Sequence, residues 1–283
     1  MSYAKFYLPL RGKLYSLEPP RIMGIINVTP DSFSDGGEAY EPEAALRRAE
    51  KLVEEGADFL DIGAVSTRPG ASEVPEEEEL RRLLPALKLI RKAFPTVPLS
   101  IDTYRGSVAR IALEEGADFI NDISGGAMDP TLWEVVAHYK VPYILMHIQG
   151  TPQTMQKNPT YTNLIQEIWS YFVDKLNALR RMNIEDVIID PGFGFGKLVS
   201  HNYQLFRALS LFRRLERPIL VGISRKSMLW RPLNATPQTV LPAMCALHWE
   251  ALRQRVSILR VHDVAAARQV LSLFEIWNSF GLG

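Results

Sequence analysis

Short apolar runs of strand length recur along the chain, and amphipathic stretches of helical period fill most of the gaps between them. The runs are Ile22 to Ile26, Phe59 to Ile62, Val97 to Ile101, Phe119 to Ile120, Val141 to Met146, Val187 to Ile189, Ile219 to Ile223 and Ser257 to Val261. Continuous apolar character, without alternation, marks strands buried on both faces of a parallel sheet. Pro42 to Glu55, Glu76 to Ala93, Arg105 to Glu115, Asn163 to Arg181, Thr236 to Arg253 and Val264 to Trp277 repeat apolar residues at three- and four-residue intervals. Each therefore predicts a helix with one face on the sheet. Strand followed by helix, eight times over, predicts a closed (β/α)8 TIM barrel. Residues 1–20 precede the repeat, and Phe6, Leu8, Leu14 and Leu17 around Arg11-Gly12 predict a short N-terminal hairpin that covers an open barrel end. Residues 21–283 are then read as a single barrel domain.

The word Glu-Glu-Gly-Ala-Asp-Phe occurs twice, at 54–59 and 114–119, each time with a helix-ending glycine just before a strand. It reads as a repeated unit of the barrel. The acids of Glu76 to Glu79 followed by Arg81 and Arg82 read as a solvated helix start, with no function attached.

Composition narrows the partners. A chain of 283 residues can bury a large core, and 32 basic against 32 acidic residues give no general field favouring nucleic acid or an anionic membrane. Any anion must be held by a local cluster. Cys245 is the single cysteine, which excludes an internal disulfide, argues for a reducing compartment and is expected to be a buried structural thiol. With neither a leader-like N-terminus nor a long apolar span, the expectation is a cytoplasmic protein with no membrane partner.

In a barrel of this kind the active site is built where strands end and loops begin. Strand one stops at Asn27 before the loop Thr29 to Gly37, strand two at Gly63 before Ser66-Thr67-Arg68-Pro69-Gly70, and strand three at Asp102. The fourth stops at Asn121-Asp122, the fifth at His147, the sixth at Asp190, the seventh before Ser224-Arg225-Lys226-Ser227, and the eighth at Arg260, His262 and Asp263. Any one of these could simply serve a turn. Their convergence predicts a ring of acceptors (Asp102, Asn121, Asp190) beside a group of cations (Arg68, Lys226 and Arg260, with His262). Acceptors suit a flat heterocycle rich in N–H donors and cations suit phosphate, so a donor-rich ring carrying a phosphorylated group fits both.

Three rival chemistries fit less well. His147 and His262 lie on different strands without an obvious third ligand, against a zinc hydrolase. The segment Asp190 to Lys197, DPGFGFGK, has the wrong spacing for a phosphate loop, and Leu198 stands where that loop needs a hydroxyl. Lys226 lies between Arg225 and Ser227, with no sign of the apolar pocket a Schiff-base lysine needs.

Taken as words, these segments resemble the bacterial dihydropteroate synthases. The resemblance runs from about Ile22 to about Val270 through GIINVTPDSFSDGG, STRPGA, SIDTYR, INDISGG, MHIQGTPQTMQ, DPGFGFGK, SRKS and RVHDV. It implies a pterin-binding barrel that condenses 6-hydroxymethyl-7,8-dihydropterin diphosphate with p-aminobenzoate, giving dihydropteroate and diphosphate in folate biosynthesis. It further implies that Asp102, Asn121, Asp190 and Lys226 contact the pterin, that Asn27, Arg68, Arg260 and His262 serve the diphosphate, and that Asn27 holds Mg2+. Thr67, Pro69, Phe33, Phe195 and Ser227 match positions around p-aminobenzoate. Asp31 and Asp35 lie on the loop that closes over substrates in the family, Asp35 being the expected catalytic contributor. Ala64-Val65 and Ile148 depart from the common pattern beside, not on, contacting positions, and Met228 to Arg255 match weakly. A homodimer is implied by the resemblance alone. A methyltetrahydrofolate-dependent methyltransferase and a catalytically silent pterin-binding paralogue are the alternatives.

The leaving group sets the expected mechanism. Departing diphosphate needs its charge neutralised, while an aryl amine is already neutral near pH 7 and needs no strong base. A dissociative displacement is therefore predicted, with Asp102 and Asp190 as electrostatic stabilisers of the pterinylmethyl cation.

Overall fold

The computed structural model describes residues 5–29, 42–67 and 70–280. Two antiparallel strands, β1 (Tyr7–Leu10) and β2 (Lys13–Ser16), come first. Leu10 pairs with Lys13, and Arg11 and Gly12 both take positive φ (51° and 71°), the left-handed pair that a two-residue hairpin turn demands. Then follow β3 (Arg21–Asn27), β4 (Phe59–Gly63), β5 (Leu99–Asp102), β6 (Phe119–Asp122), β7 (Tyr143–Met146), β8 (Val187–Asp190), β9 (Leu220–Val221) and β10 (Ile258–Val261). They form one eight-stranded sheet in the order β8-β7-β6-β5-β4-β3-β10-β9, parallel at every pair. A parallel bridge from Ile189 to Ile219 joins β8 to β9 and closes the barrel.

Ten α-helices lie among the described residues: α1 (Pro42–Glu54), α2 (Glu76–Ala93), α3 (Gly106–Glu114), α4 (Thr131–Tyr139), α5 (Leu164–Arg181), α6 (Val199–Arg207), α7 (Leu209–Phe212), α8 (Ser227–Trp230), α9 (Leu241–Arg253) and α10 (Val264–Ser279). The sequence pattern missed α4, α6, α7 and α8, which have nine residues or fewer and so show at most two and a half turns of period. It also placed the start of α9 five residues early. Thr236 to Thr239 instead form a turn in which the Thr236 N–H donates to Thr239 Oγ1 at 3.1 Å, and Pro242 sits in the first turn of the helix.

The repeated word builds the same joint twice. Gly56 and Gly116 end their helices at φ 95° and 100°. Asp58 then accepts the Ile22 N–H at 2.8 Å, and Asp118 accepts the Leu99 N–H at the same distance. Each carboxylate also pairs with an arginine that donates to the preceding glycine carbonyl, Arg268 in the first case and Arg91 in the second. The word thus stitches each strand to its neighbour at the N-terminal end of the barrel.

Inside that end lies a separate apolar layer. Met23, Phe59, Phe119, Ile144, Ile188, Leu220 and Ile258 point inward and pack with Leu8, Leu10 and Leu17 of the N-terminal segment. The hairpin is the plug the sequence predicted, with one change: Leu14 is 74% exposed, and Leu10 takes the buried place. Cys245, expected to be buried, is half-exposed on α9, because its helix turns only Met244 and His248 fully inward in that stretch.

Candidate active site

Side chains two apart on a strand share a face, so the residue two beyond each inward apolar plug position also points into the barrel. Phe59 is followed in this way by Asp61, Phe119 by Asn121, Ile188 by Asp190, and Ile258 by Arg260; Ser100 and then Asp102 occupy the same face of β5. A polar layer thus stands directly on the apolar floor. Strand register levels it further, with Asn27 beside Gly63, Gly63 beside Asp102, and Asp102 beside Asn121. Gly63 leaves the gap for the Asp102 carboxyl, since a Cβ there would sit 3.3 Å from the Asp102 Cβ.

Arg260 is the centre of this layer. Its Nε donates to Asp61 at 2.6 Å and one terminal nitrogen donates to Asp102 at 2.8 Å. Burial works against the guanidinium charge, but Asp61 and Asp102 outweigh it and raise its pKa. Asp61 also accepts from the Asn121 amide at 2.9 Å. Burial raises the Asp102 pKa while Arg260 pulls the other way. Asp190 is raised by burial too, against the opposing pull of Lys226, the Gly192 N–H, Arg260 and Lys197.

Lys226 reaches over this acceptor wall. Its ammonium donates to the Phe193 carbonyl and lies 4.5 Å from the centre of the Phe195 ring, and burial brings its pKa down to about 8. The apolar surroundings that the sequence did not reveal come from Phe195, a residue of the preceding loop. His262, grouped with the cations on sequence grounds, is not one in this structure. Burial and the nearby Arg260 and Arg225 charges lower its pKa to about 3, leaving a neutral imidazole whose Nδ1 lies 3.1 Å from Ser224 Oγ. Thr67 and Phe195 stand half-buried on the loops after β4 and β8, Ser227 is half-buried as the first residue of α8, and Asn27 is half-buried at the end of β3. Phe33, Asp31, Asp35, Arg68 and Pro69 lie outside the described residues.

The glycine segment has a structural purpose. A Cβ on Gly192 would fall 1.8 Å from the His147 carbonyl oxygen, and one on Gly196 would fall 2.4 Å from that of Gln149. The glycines therefore let this loop press against the loop after β7. Its carbonyls already accept protein donors: Gly192 and Phe195 from Lys197, Phe193 from Lys226, Gly194 from Gln156 and Gly196 from Tyr161. Lys197 points inward, 2% exposed, with its ammonium 2.9 Å from His147 Nδ1. It is a tie within the protein and not a phosphate ligand.

Sequence reading missed Asp61 and Lys197. Asp61 sits in mid-strand in FLDIG, and the signal was available, because a carboxylate inside a run buried at every position must face a partner. Lys197 gave no such signal, since its acceptors are backbone carbonyls.

Comparison with known proteins agrees with this geometry. A family model described as "Pterin binding enzyme" matches residues 23–262. A dihydropteroate synthase of Haemophilus influenzae is 41% identical over 266 residues, covering 93% of this chain and 96% of the relative. A Yersinia pestis dihydropteroate synthase solved with a sulfonamide drug complex superposes with a TM-score of 0.91 at 40% identity, covering 97% of this chain and 100% of that one. A Xanthomonas albilineans dihydropteroate synthase solved with 4-aminobenzoic acid superposes equally well, with a TM-score of 0.91 at 39% identity over 98% and 99% of the two chains.

Proposed function

Because the chain belongs to the dihydropteroate synthase family, whose members join a pterinylmethyl diphosphate to p-aminobenzoate in folate biosynthesis, we propose a division of labour among its site residues. Asp102, Asn121 and Asp190 take the N–H edge of the pterin, and Lys226 covers its carbonyl side. Arg260 and Arg68 neutralise the diphosphate, and His262 donates a hydrogen bond to it. Thr67, Pro69, Phe33, Phe195 and Ser227 surround p-aminobenzoate, and Asp35 joins from the first loop.

The observation that carries this reading is Arg260 fixed between Asp61 and Asp102 on the same inward layer as Asn121 and Asp190. It supports a cation for the leaving group beside an acceptor wall for the ring. In the step itself the bond between the pterin methylene carbon and the diphosphate oxygen breaks and its electron pair leaves with diphosphate. The p-aminobenzoate nitrogen bonds to the same carbon and then loses a proton. In this reading ionised Asp102 and Asp190 stabilise positive charge on the methylene, an interaction strengthened in a low-dielectric site.

Mg2+ fits the donors present. Among the described residues no group of three or more His, Cys, Asp or Glu could cage a metal. Asn27 offers one hard oxygen at the end of β3, a partial shell of the kind Mg2+ completes with substrate phosphates and water. Bound there, it would neutralise diphosphate charge.

We also propose a homodimer formed through the last helix. Leu273, Ile276, Trp277 and Phe280 lie three and four residues apart at the C-terminal end of the chain, and all are more than half exposed. No described helix is long and apolar enough to cross a membrane, and a cytoplasmic location is part of the same reading.

Diphosphate release on mixing both substrates with Mg2+ tests the activity. Release that needs both substrates and falls at least about a hundredfold in Asp190→Asn is the expected result. No release from the wild type, or normal kinetics in that variant, would overturn the assignment.

A further inference from the structure

Asp61 is fully buried, at 0% exposure, and its Oδ1 has no hydrogen-bond partner. A lone buried carboxylate oxygen is costly, and apolar residues fill the layer just beneath it. The other oxygen, Oδ2, accepts twice: from Arg260 Nε at 2.6 Å and from Asn121 Nδ2 at 2.9 Å. This one atom therefore links β4 to β6 and β10 at the level of the site.

The link to Asn121 has a chemical consequence. A carboxamide has two edges of nearly equal size, one donating and one accepting, and in isolation it can present either. A carboxylate paired with a guanidinium only accepts, so the edge that meets Asp61 must be the N–H2. The Asn121 carbonyl is then the edge left for a ligand. Asn121 is 4% exposed, so water cannot readily compensate for the wrong orientation.

We propose that Asp61 is a positioning residue for the pterin: by holding the Asn121 amide N–H2 it fixes the Asn121 carbonyl as an acceptor, and so selects a ring that offers an N–H at that place. The inference rests on the assignment of Asn121 to the pterin ring. It makes the wall of Asp102, Asn121 and Asp190 an acceptor at all three positions, with Asp61 behind it and out of contact with substrate.

Two ligand fragments separate the ring from the phosphate end: 6-hydroxymethyl-7,8-dihydropterin and inorganic diphosphate, each titrated calorimetrically into the enzyme. Asp61→Leu, close in size and unable to accept, is expected to bind the pterin fragment about tenfold more weakly, the worth of one hydrogen bond; diphosphate binding is expected to change as well, because the same substitution frees Arg260 Nε, so the Asn121 link is read from the pterin fragment. Asn121→Ala is expected to cost about tenfold in the wild type but less than about threefold in the Asp61→Leu background, because the carbonyl has already lost its fixed direction. Asp61→Asn, which keeps an oxygen facing the amide, should stay within about threefold of wild type and also guards against misfolding of the leucine variant. Additive losses in the double variant would overturn the proposal, and so would a loss confined to diphosphate or an Asp61→Asn variant as weak as Asp61→Leu. A wild type that binds no pterin fragment would instead count against the functional assignment.

Discussion

Lys197 shows how a single residue can be placed by contacts that leave no trace in a sequence motif. Its ammonium lies within 3.4 Å of His147 Nδ1 and of the carbonyls of His147, Gly192 and Phe195, tying the loop after β8 to the loop after β7. Burial lowers its pKa to about 7, against the attraction of Asp190. Between about pH 7 and the ordinary lysine value, the unfolded chain holds a proton that the folded chain has released, so unfolding takes up a proton and stability rises with pH. Relative to Lys197→Met, wild-type unfolding free energy should therefore climb from pH 7 to pH 9 by up to about 1.4 kcal/mol per pH unit. Urea unfolding of both proteins across that range checks it, and a pH-independent difference would refute it. His262 teaches a related lesson: its residue type suggested a cation, but burial among Arg260, Arg225 and Arg48 leaves it neutral.

Among the elements, the N-terminal hairpin and the strand ends work at opposite faces of the barrel. Leu8 and Leu17, 1% and 2% exposed, pack against Phe59, Phe119 and Ile188, and the site residues lie two positions further along the same strands. Leu8→Ala and Leu17→Ala should each lower stability by about 2–5 kcal/mol through the cavity they open. Because the plug does not touch the polar layer, KM for both substrates should remain within about twofold of wild type. Denaturant melts and steady-state kinetics on the same preparations separate the two effects, and a KM change matching the stability loss would show that floor and site are coupled. The elements were legible where their period was long: α2 spans the residues its pattern predicted, Glu76–Ala93. They were illegible where short, as in α8, whose Ser227–Trp230 gives a single turn and no face to read.

At the scale of the whole molecule, Leu273, Ile276 and Trp277 of α10 and Phe280 just after it form an exposed apolar stripe. If it seals a dimer, Trp277→Glu combined with Phe280→Glu should halve the mass seen by sedimentation at micromolar concentration while leaving each barrel folded by circular dichroism; an unchanged mass would remove this helix from the interface. The sequence alone determined the barrel, because eight apolar runs alternating with helical stretches permit few other compact arrangements, and it determined the polar identity of each strand end. It named Asp102, Asn121, Asp190, Lys226 and Arg260 because each ends a strand or follows one, where a polar residue interrupts an apolar run. Only the tertiary structure decided what those residues do to one another. Closure of the barrel brought Asp61 within hydrogen-bond reach of both Asn121 and Arg260, and burial set the charge of His262. The same packing turned Lys197 away from any ligand and into the backbone of two loops. Hydrogen-bond direction and the electrostatic cost of burial depend on distances between segments far apart in the chain, and no local pattern encodes those distances.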